Sequence, residues 1–300
     1  MSAPKFSIIM AAYQRAHTLP RALASVLAQT TSNWEVVVVD DGSTDATEAI
    51  VSALAATDTR IRYVKHERNR GVTAAKNTGF DHARGEWLMT LDSDDEIVPQ
   101  ALAVFERVLD LDPAVDAIAC NCFDSRTGAL TGRGLDHDQY ITLATRLERC
   151  RGEHWGIFHR RILGAHRFNE RIRGYEDVLW TEIHEHAMWY YVHRALRVYH
   201  TEGTDRLTSE DGAASRKRLY ALYRAIVDEA PDYFARLGRG SPSAQRRFLF
   251  NAAGQFLLHD DDGRFGDAVT LLDRAGGHVR ARALRVARDV DRRIPLRRLL

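Results

Sequence analysis

Short apolar segments alternate with amphipathic segments over residues 1–122 of the 300-residue chain. Apolar runs that stop abruptly are typical of buried parallel strands, because helices cover both faces of a parallel sheet. On this pattern we predict five strands, at Phe6–Met10, Trp34–Val39, Ile61–Val64, Trp87–Leu91 and Ala117–Cys120.

Four helices are predicted between these strands. The first carries an apolar stripe along Leu19–Leu27, and the second begins near Asp45, where Glu48 resembles the partner of a capping box. The third covers Thr73–Ala83, and the fourth covers Pro99–Leu111, with proline at its first position. Strands and helices in this order predict an α/β fold with a mostly parallel, Rossmann-like twisted sheet and helices on both faces.

The pattern changes after residue 122. Residues 123–211 are rich in His, Trp, Tyr and Arg, which suit a recognition surface. Residues 212–300 look helical, so we predict three parts: 1–122, 123–211 and a C-terminal helical region, 212–300.

The composition fits a globular enzyme and adds little to the pattern. Hydrophobic residues make up 45% of the chain, and the net charge of +1 does not indicate a nucleic-acid partner. The three cysteines form no C-x-x-C pair, and their odd number argues against a disulfide framework. No apolar run reaches the length of a membrane span, so we expect a cytoplasmic chain.

Two predicted strands end in carboxylates, in VVVVDDGSTD (Val36–Asp45) and WLMTLDSDDE (Trp87–Glu96). Ligands of open α/β sheets bind outside the carboxyl ends of the strands, so both acidic clusters are expected on one crevice. Magnesium-type ions are usually held by one or two carboxylates and completed by phosphate oxygens. These ends therefore predict a divalent metal and a phosphate-bearing ligand.

Five segments carry a resemblance to a known family. They are SIIMAAYQR (Ser7–Arg15), EVVVVDDGSTD (Glu35–Asp45), NRGVTAAKNTG (Asn69–Gly79), LDSDD (Leu91–Asp95) and GYEDVLWTE (Gly174–Glu182). In this order they resemble the family 2 glycosyltransferases of GT-A fold, over about Lys5–Thr208. The resemblance implies transfer of a sugar, with inversion, from a nucleoside diphosphate sugar to a hydroxyl acceptor in glycan, cell-surface polysaccharide or glycoconjugate synthesis. It implies that residues 1–122 bind the nucleotide sugar and residues 123–211 bind the acceptor.

The resemblance also assigns residues to the donor nucleotide. It implies that Asp41 receives an N–H of the base, which favours uracil, and that Tyr13 and the backbone near Ala11 flank the base. A tyrosine after a strand also commonly packs, and the family often has Pro or Thr in place of Ala11, so the identity of the base is left open. Asn69 and Lys76 are implied to line the ribose and the diphosphate.

The metal is assigned to the D-x-D segment. Asp92 and Asp94 share one face of an extended segment, so both carboxylates reach the ribose and a Mn²⁺ or Mg²⁺ ion together. Asp94 is the preferred direct ligand. Asp95 either assists or stabilises the start of the next helix. His200 is a further candidate ligand, as in some GT-A enzymes.

The acceptor side is assigned to Glu176 and Asp177. The resemblance implies that Glu176 binds substrate and that Asp177 is the general base, which takes the proton of the attacking hydroxyl. Two acids at a helix start are also stabilised by the helix dipole alone. Trp155 and Trp180 are candidate sugar platforms, with core packing as the alternative.

The segment Gly277–Leu300 contains eight arginines and two aspartates, with Val279, Ala283, Val286 and Val290 at helical spacing. Two interpretations compete: a basic helix on an anionic membrane, at the inner face as a peripheral contact, or a helix packed on its own protein or on a homodimer mate.

Two other functions fit parts of the sequence. One is a nucleotide-sugar-binding scaffold without turnover. The other is a metal-dependent nucleotidyltransferase, which would ordinarily carry a Gly- and Lys/Arg-rich phosphate loop where this chain has AAYQR. The sugar and the acceptor depend on pocket shape and are not specified by these motifs.

Overall fold

The computed structural model describes residues 3–172, 175–202, 213–259 and 261–293. It divides into two compact units, residues 1–204 and 205–300. Among the described residues, no helix is long and apolar enough to cross a membrane.

The first unit is built on a sheet that has nine strands in the described part of the chain. The strands are β1 (Phe6–Ala12), β2 (Trp34–Asp40), β3 (Ile61–Lys65), β4 (Trp87–Thr90), β5 (Glu96–Ile97), β6 (Ala117–Asp124), β7 (Gln139–Ile141), β8 (His154–His159) and β9 (Trp189–Tyr199). Their order is β3-β2-β1-β4-β8-β6-β9-β5, with β7 paired to β9. The pairs among β1 to β4 are parallel, which confirms the predicted sheet.

The second half of the sheet is mixed, and the sequence pattern did not predict this. Strand β8 runs antiparallel between β4 and β6, while β6 runs parallel to β9. Trp155, Ile157 and Phe158 of β8 are buried, so this strand belongs to the core. Gly156 interrupts its apolar residues and a histidine lies at each end, so β8 does not form the continuous apolar run that is typical of a buried strand.

Helices cover both faces of the sheet, as predicted. In the first unit they are α1 (Leu19–Leu27), α2 (Thr47–Ala55), α3 (Val72–His82), α4 (Ala101–Leu111), α5 (Leu143–Arg149), α6 (Arg160–Leu163) and α7 (Asp177–His184). Ile8 packs with Leu23 of α1, whereas its neighbour Ile9 packs with Phe80 of α3, because alternate strand residues face opposite sides. Gly79 brings α3 close to β1, since a Cβ at this position would collide with Ile9.

The second unit consists of helices in its described part. They are α8 (Ala213–Glu229), α9 (Asp232–Gly240), α10 (Pro242–Leu258), α11 (Asp262–Arg274) and α12 (His278–Arg293). Helix α12 buries Ala281 and Leu284, while Val279 and Val286 are 85% and 54% exposed. Val279, Ala283 and Val286 of the stripe noted in the sequence are exposed and are therefore not on the packed face of α12. Residues 294–300 lie outside the described residues.

A buried ion pair joins β9 to the acidic turn between β4 and β5. Arg197 of β9 is 6% exposed, and its Nε donates to Oδ2 of Asp95 at 2.7 Å. The same guanidinium donates to Oδ2 of Asp92 at 2.7 Å, and Oδ1 of Asp95 accepts the amide of His200 at 2.8 Å. Burial raises the pKa of Asp95 to about 6 even though Arg197 opposes the shift. The turn that carries the D-x-D segment is thus fixed by a guanidinium from a distant strand.

We expect Arg197→Met to lower the free energy of unfolding by about 3–5 kcal/mol, because the buried Asp95 and the half-buried Asp92 would lose their partner. Arg197→Met/Asp95→Asn should be more stable than Arg197→Met, since asparagine leaves no unpaired charge. Urea unfolding followed by tryptophan fluorescence measures both, because all five tryptophans lie in the first unit.

The matched control for this cycle is Arg161→Met. Arg161 is an exposed arginine 2.8 Å from Asp116, away from the acidic turn, and its loss should lower the free energy of unfolding by at most about 1 kcal/mol. Equal losses of unfolding free energy in Arg197→Met and Arg161→Met would show that the buried pair does not hold the turn.

Candidate active site

Asp41 lies directly after β2 and is 2% exposed. Its carboxylate accepts the amides of Arg70 at 2.9 Å and Gly71 at 2.7 Å, and it lies 2.7 Å from Nδ1 of His66. A carboxylate offers about four lone-pair positions, so these three contacts leave one for a ligand. Asp41 is therefore both an anchor of the loop before α3 and a potential acceptor for a base N–H.

The turn after β1 lies against the turn after β2. Gln14 has a left-handed backbone with φ of 56°, and its side-chain oxygen accepts the amides of Thr44 at 3.0 Å and Asp45 at 3.1 Å. The ring of Tyr13 beside it is 46% exposed, and Ala11 is half-buried at the end of β1. Gln14 thus joins the two turns, which leaves the Tyr13 ring accessible to a base.

Asn69 is exposed in the loop between β3 and α3. This loop lies against the turn after β2, since a Cβ on Gly42 would come within 2.7 Å of the Arg68 carbonyl carbon. Gly42 also has φ of 80°, which favours glycine. Asn69 is therefore held beside Asp41, at the same edge of the sheet.

Lys76 of α3 lies between the two acidic segments. Its Nζ is 2.5 Å from Oε1 of Glu176 and 3.3 Å from Oδ1 of Asp92, and its side chain is 5% exposed. Burial opposes the lysine charge, but Asp92 and Glu176 outweigh it and raise the pKa of Lys76. Lys76, helped by Arg197, in turn holds the pKa of Asp92 well below its usual range against the effect of burial. Lys76 and Asp92 are therefore held in their charged forms, and the lysine is not on a solvated helix face.

Asp94 differs from its acidic neighbours. It is half-buried, and its backbone carbonyl accepts from Arg21 at 2.6 Å. Within the described residues, no side chain or amide hydrogen-bonds its carboxylate. The same residues contain no group of three His, Cys, Asp or Glu side chains that could hold a metal ion by themselves. The site fits a divalent ion that takes Asp94 as a ligand and completes its shell with diphosphate oxygens.

His200 lies near this segment but is engaged by other groups. Its Nε2 is 2.7 Å from Oε1 of Glu96, and its Nδ1 is 3.3 Å from Oε2 of Glu202. Both ring nitrogens thus face carboxylates in this arrangement.

Asp177 begins α7 and is paired with an arginine that the sequence did not identify. Arg146 of α5 binds Oδ1 of Asp177, and its second nitrogen donates to Oγ1 of Thr181 at 3.2 Å. The neighbouring Glu176 instead faces Lys76. The two adjacent acids therefore contact different cations. Gly174, which precedes them in the motif, lies outside the described residues.

Of the two candidate sugar platforms, Trp155 is buried and Trp180 is half-buried. Trp155 is 6% exposed and donates its indole N–H to the carbonyl of Thr90 at 2.7 Å. Trp180 packs edge-on against Phe158 and Phe168, with ring centroids 5.3 and 5.4 Å apart. These contacts favour core packing over sugar stacking for both residues.

The chain is similar to known glycosyltransferases. The family model described as glycosyl transferase family 2 matches residues 7–168. The GalNAc(5)-diNAcBac-PP-undecaprenol beta-1,3-glucosyltransferase of Campylobacter jejuni is 30% identical over 233 residues, which cover 76% of this chain and 73% of that protein. The succinoglycan biosynthesis protein ExoO of Rhizobium meliloti is 38% identical over 190 residues, 59% of this chain and 54% of ExoO.

Among solved structures, S. aureus TarS 1–349 in complex with UDP-GlcNAc has a TM-score of 0.71 and is 19% identical. The match covers 96% of this chain and 88% of that one, which confirms the GT-A fold. A family model that matches more than half of the chain, together with a relative 30% identical over 76% of it, establishes that the chain belongs to the family 2 glycosyltransferases.

Proposed function

We propose that the chain is an inverting, metal-dependent glycosyltransferase that moves a sugar from a UDP-sugar to a hydroxyl acceptor, in the synthesis of a glycan, cell-surface polysaccharide or glycoconjugate. The contact of Lys76 with both Asp92 and Glu176 carries the proposal. Asp92 belongs to the metal and ribose segment, and Glu176 belongs to the acceptor segment. One buried cation thus joins the two carboxylates between which a sugar would be transferred.

The substrates are proposed from relatives and from the site. The TarS complex with UDP-GlcNAc supports a uracil nucleotide, which Asp41 and the accessible Tyr13 ring would hold. The Campylobacter relative carries an undecaprenol diphosphate substrate in its name, which supports a lipid-diphosphate acceptor here. Ala11 and Asn69 would border the base and ribose.

The chain's own residues would perform the transfer as follows. Lys76 would lie beside the donor diphosphate, and Asp94, with Asp92 beside it, would hold a Mn²⁺ or Mg²⁺ ion that offsets charge on the leaving group. Asp177 accepts the proton of the attacking hydroxyl. The hydroxyl oxygen bonds to the anomeric carbon as the bond to the diphosphate breaks on the opposite face, so the configuration inverts.

Asp94→Asn should weaken the affinity for UDP in the presence of Mn²⁺ by about tenfold or more, ~1.4 kcal/mol, because the metal loses its protein ligand. The affinity without metal should stay the same. Titration calorimetry with UDP, with Mn²⁺ and with EDTA, measures both values. Asp110→Asn, on the exposed side of α4, is the control. If Mn²⁺ raises the UDP affinity of Asp94→Asn by the same factor as that of the parent, Asp94 is not a metal ligand.

Asp177→Asn should preserve UDP binding and lower the transfer rate by about 10²–10⁴, or ~3–5 kcal/mol, because asparagine cannot accept the proton. Single-turnover transfer with a labelled donor measures the rate. Glu182→Gln, a carboxylate of the same helix, should stay near the parent rate. If the protein is a scaffold without turnover, the parent itself shows no sugar transfer. If Asp177→Asn transfers sugar at the parent rate, another residue is the general base.

Helix α12 supports a surface contact of the C-terminal unit. Its exposed Val279 and Val286 are accompanied by Arg280 and Arg282, which favours an anionic membrane over a homodimer mate. We expect Val279→Asp/Val286→Asp to release the protein from phosphatidylglycerol vesicles, measured by co-sedimentation. The homodimer is the correct interpretation if the parent stays in the supernatant of the vesicle assay and, without vesicles, sediments as a dimer while the variant sediments as a monomer.

A further inference from the structure

A cluster of arginines lies beside the candidate base and has no role in the transfer described above. We infer that Arg133, Arg149 and Arg151 bind the diphosphate group of the acceptor. This inference rests on the proposed function, because it takes Asp177 to mark the position of the acceptor hydroxyl.

The backbone brings the three arginines together. Arg133 and Arg151 exchange two backbone hydrogen bonds, of 2.8 and 3.1 Å, in an isolated antiparallel bridge. Side chains of a directly opposed pair project from the same face, so Arg133 and Arg151 start from neighbouring positions on one face. Gly134, with φ of 95°, lies so close to Arg149 that a Cβ would overlap the Arg149 carbonyl. The cluster is thus held by main-chain contacts that do not depend on its side chains.

No carboxylate forms an ion pair with the cluster among the described residues. Arg133, Arg149 and Arg151 are all exposed. The guanidinium of Arg151 donates to backbone carbonyls at the end of α5, at 2.7 Å from Cys150 and 2.9 Å from Glu148. The nearby Asp136 pairs with His137 at 2.8 Å, and this hydrogen bond, with a smaller contribution from the charge of Arg149, lowers the pKa of Asp136. The cluster is therefore a surface of net positive charge.

The cluster lies on the acceptor side of the site. Arg146 binds Asp177 directly, and Arg149 follows it by three residues on α5, about 4.5 Å along the helix axis. Residues three apart on a helix are neighbours on its surface. An acceptor sugar whose hydroxyl meets Asp177 would therefore have the arginines within reach of its other end.

The chemistry of the cluster selects a diphosphate. The planar fork of arginine matches phosphate oxygens, and several guanidinium groups suit a ligand with more than one negative charge. The donor diphosphate is already matched by Lys76 and the metal segment, so a second diphosphate site belongs to the acceptor. Lipid-linked and free diphosphates share this chemistry, and the test separates them.

The experiment measures the binding of decyl diphosphate by calorimetry, with saturating UDP and Mn²⁺ present to fill the donor site. Arg133→Gln/Arg149→Gln should weaken this binding by about ten- to a hundredfold, because two charge-assisted contacts are lost. Arg107→Gln/Arg274→Gln removes two exposed arginines elsewhere and should bind like the parent. Arg133→Lys/Arg149→Lys keeps the charge and should retain part of the affinity.

Two further probes identify what is recognised. Decyl maltoside, which has the chain but no phosphate, should not bind. If inorganic pyrophosphate binds as tightly as decyl diphosphate, the cluster recognises the diphosphate alone. If pyrophosphate binds more weakly, the lipid chain also contributes to the affinity. Both results support the site. Equal binding of decyl diphosphate to the parent and the Gln double variant, or binding of decyl maltoside as strong as that of decyl diphosphate, would overturn it.

The measurement needs no turnover, so it separates this inference from the proposed function. If Asp177→Asn keeps its full rate while the Gln double variant loses decyl diphosphate, the base assignment fails and the arginine site stands. If Asp177→Asn loses its rate while the Gln double variant binds normally, the arginine site alone fails. Urea unfolding of the double variant checks that its fold is intact.

Discussion

The candidate site depends on two buried cations that hold three carboxylates together. Asp92, Asp95 and Glu176 would repel one another in a crevice without compensation. Lys76 bridges Asp92 and Glu176, and Arg197 bridges Asp92 and Asp95. Asp92 is thus shared by both cations. Because burial makes each unpaired charge costly, the acidic turn keeps its shape only while α3 and β9 are both in place.

This arrangement separates residues that hold the site from residues that remain available. The half-buried Asp92 and the buried Asp95 are both paired with Arg197, while the carboxylate of Asp94 between them has no partner among the described residues. Two acids of one short segment can therefore maintain the fold while the third meets a ligand. At the other strand end, Asp41 both anchors a loop and keeps an acceptor position. Residues around the proposed metal and base positions already have protein partners, which would reduce the free-energy cost of ordering them on binding.

The acceptor side is organised by a different cation. Arg146 fixes the Asp177 carboxylate from α5, and the same helix leads into the surface formed by Arg133, Arg149 and Arg151. One short helix thus connects the group that would take a proton with the groups that would recognise phosphate. A change in α5 would be expected to affect both properties together.

The sequence by itself determined the first half of the sheet, because buried strands and amphipathic helices leave local signals with fixed periods. It also indicated that the carboxylates after β2 and β4 lie at one edge of the sheet, since the ends of parallel strands share one edge. The family resemblance added roles to Asp41, Asp94 and Asp177, and these assignments await the experiments described with them. The mixed half of the sheet was not predicted, because β8 is short and its apolar residues are interrupted.

Only the tertiary structure decided which cations meet these carboxylates. Arg197 lies 105 residues from Asp92, Glu176 lies 100 residues from Lys76, and Arg146 lies 31 residues from Asp177. The chain contains 42 lysines and arginines, and a local pattern does not say which of them reaches a given carboxylate. That choice is made by strand order and helix packing, which bring distant segments to one edge of the sheet. The acids of the candidate site were therefore visible in the sequence, and their partners were decided by the fold.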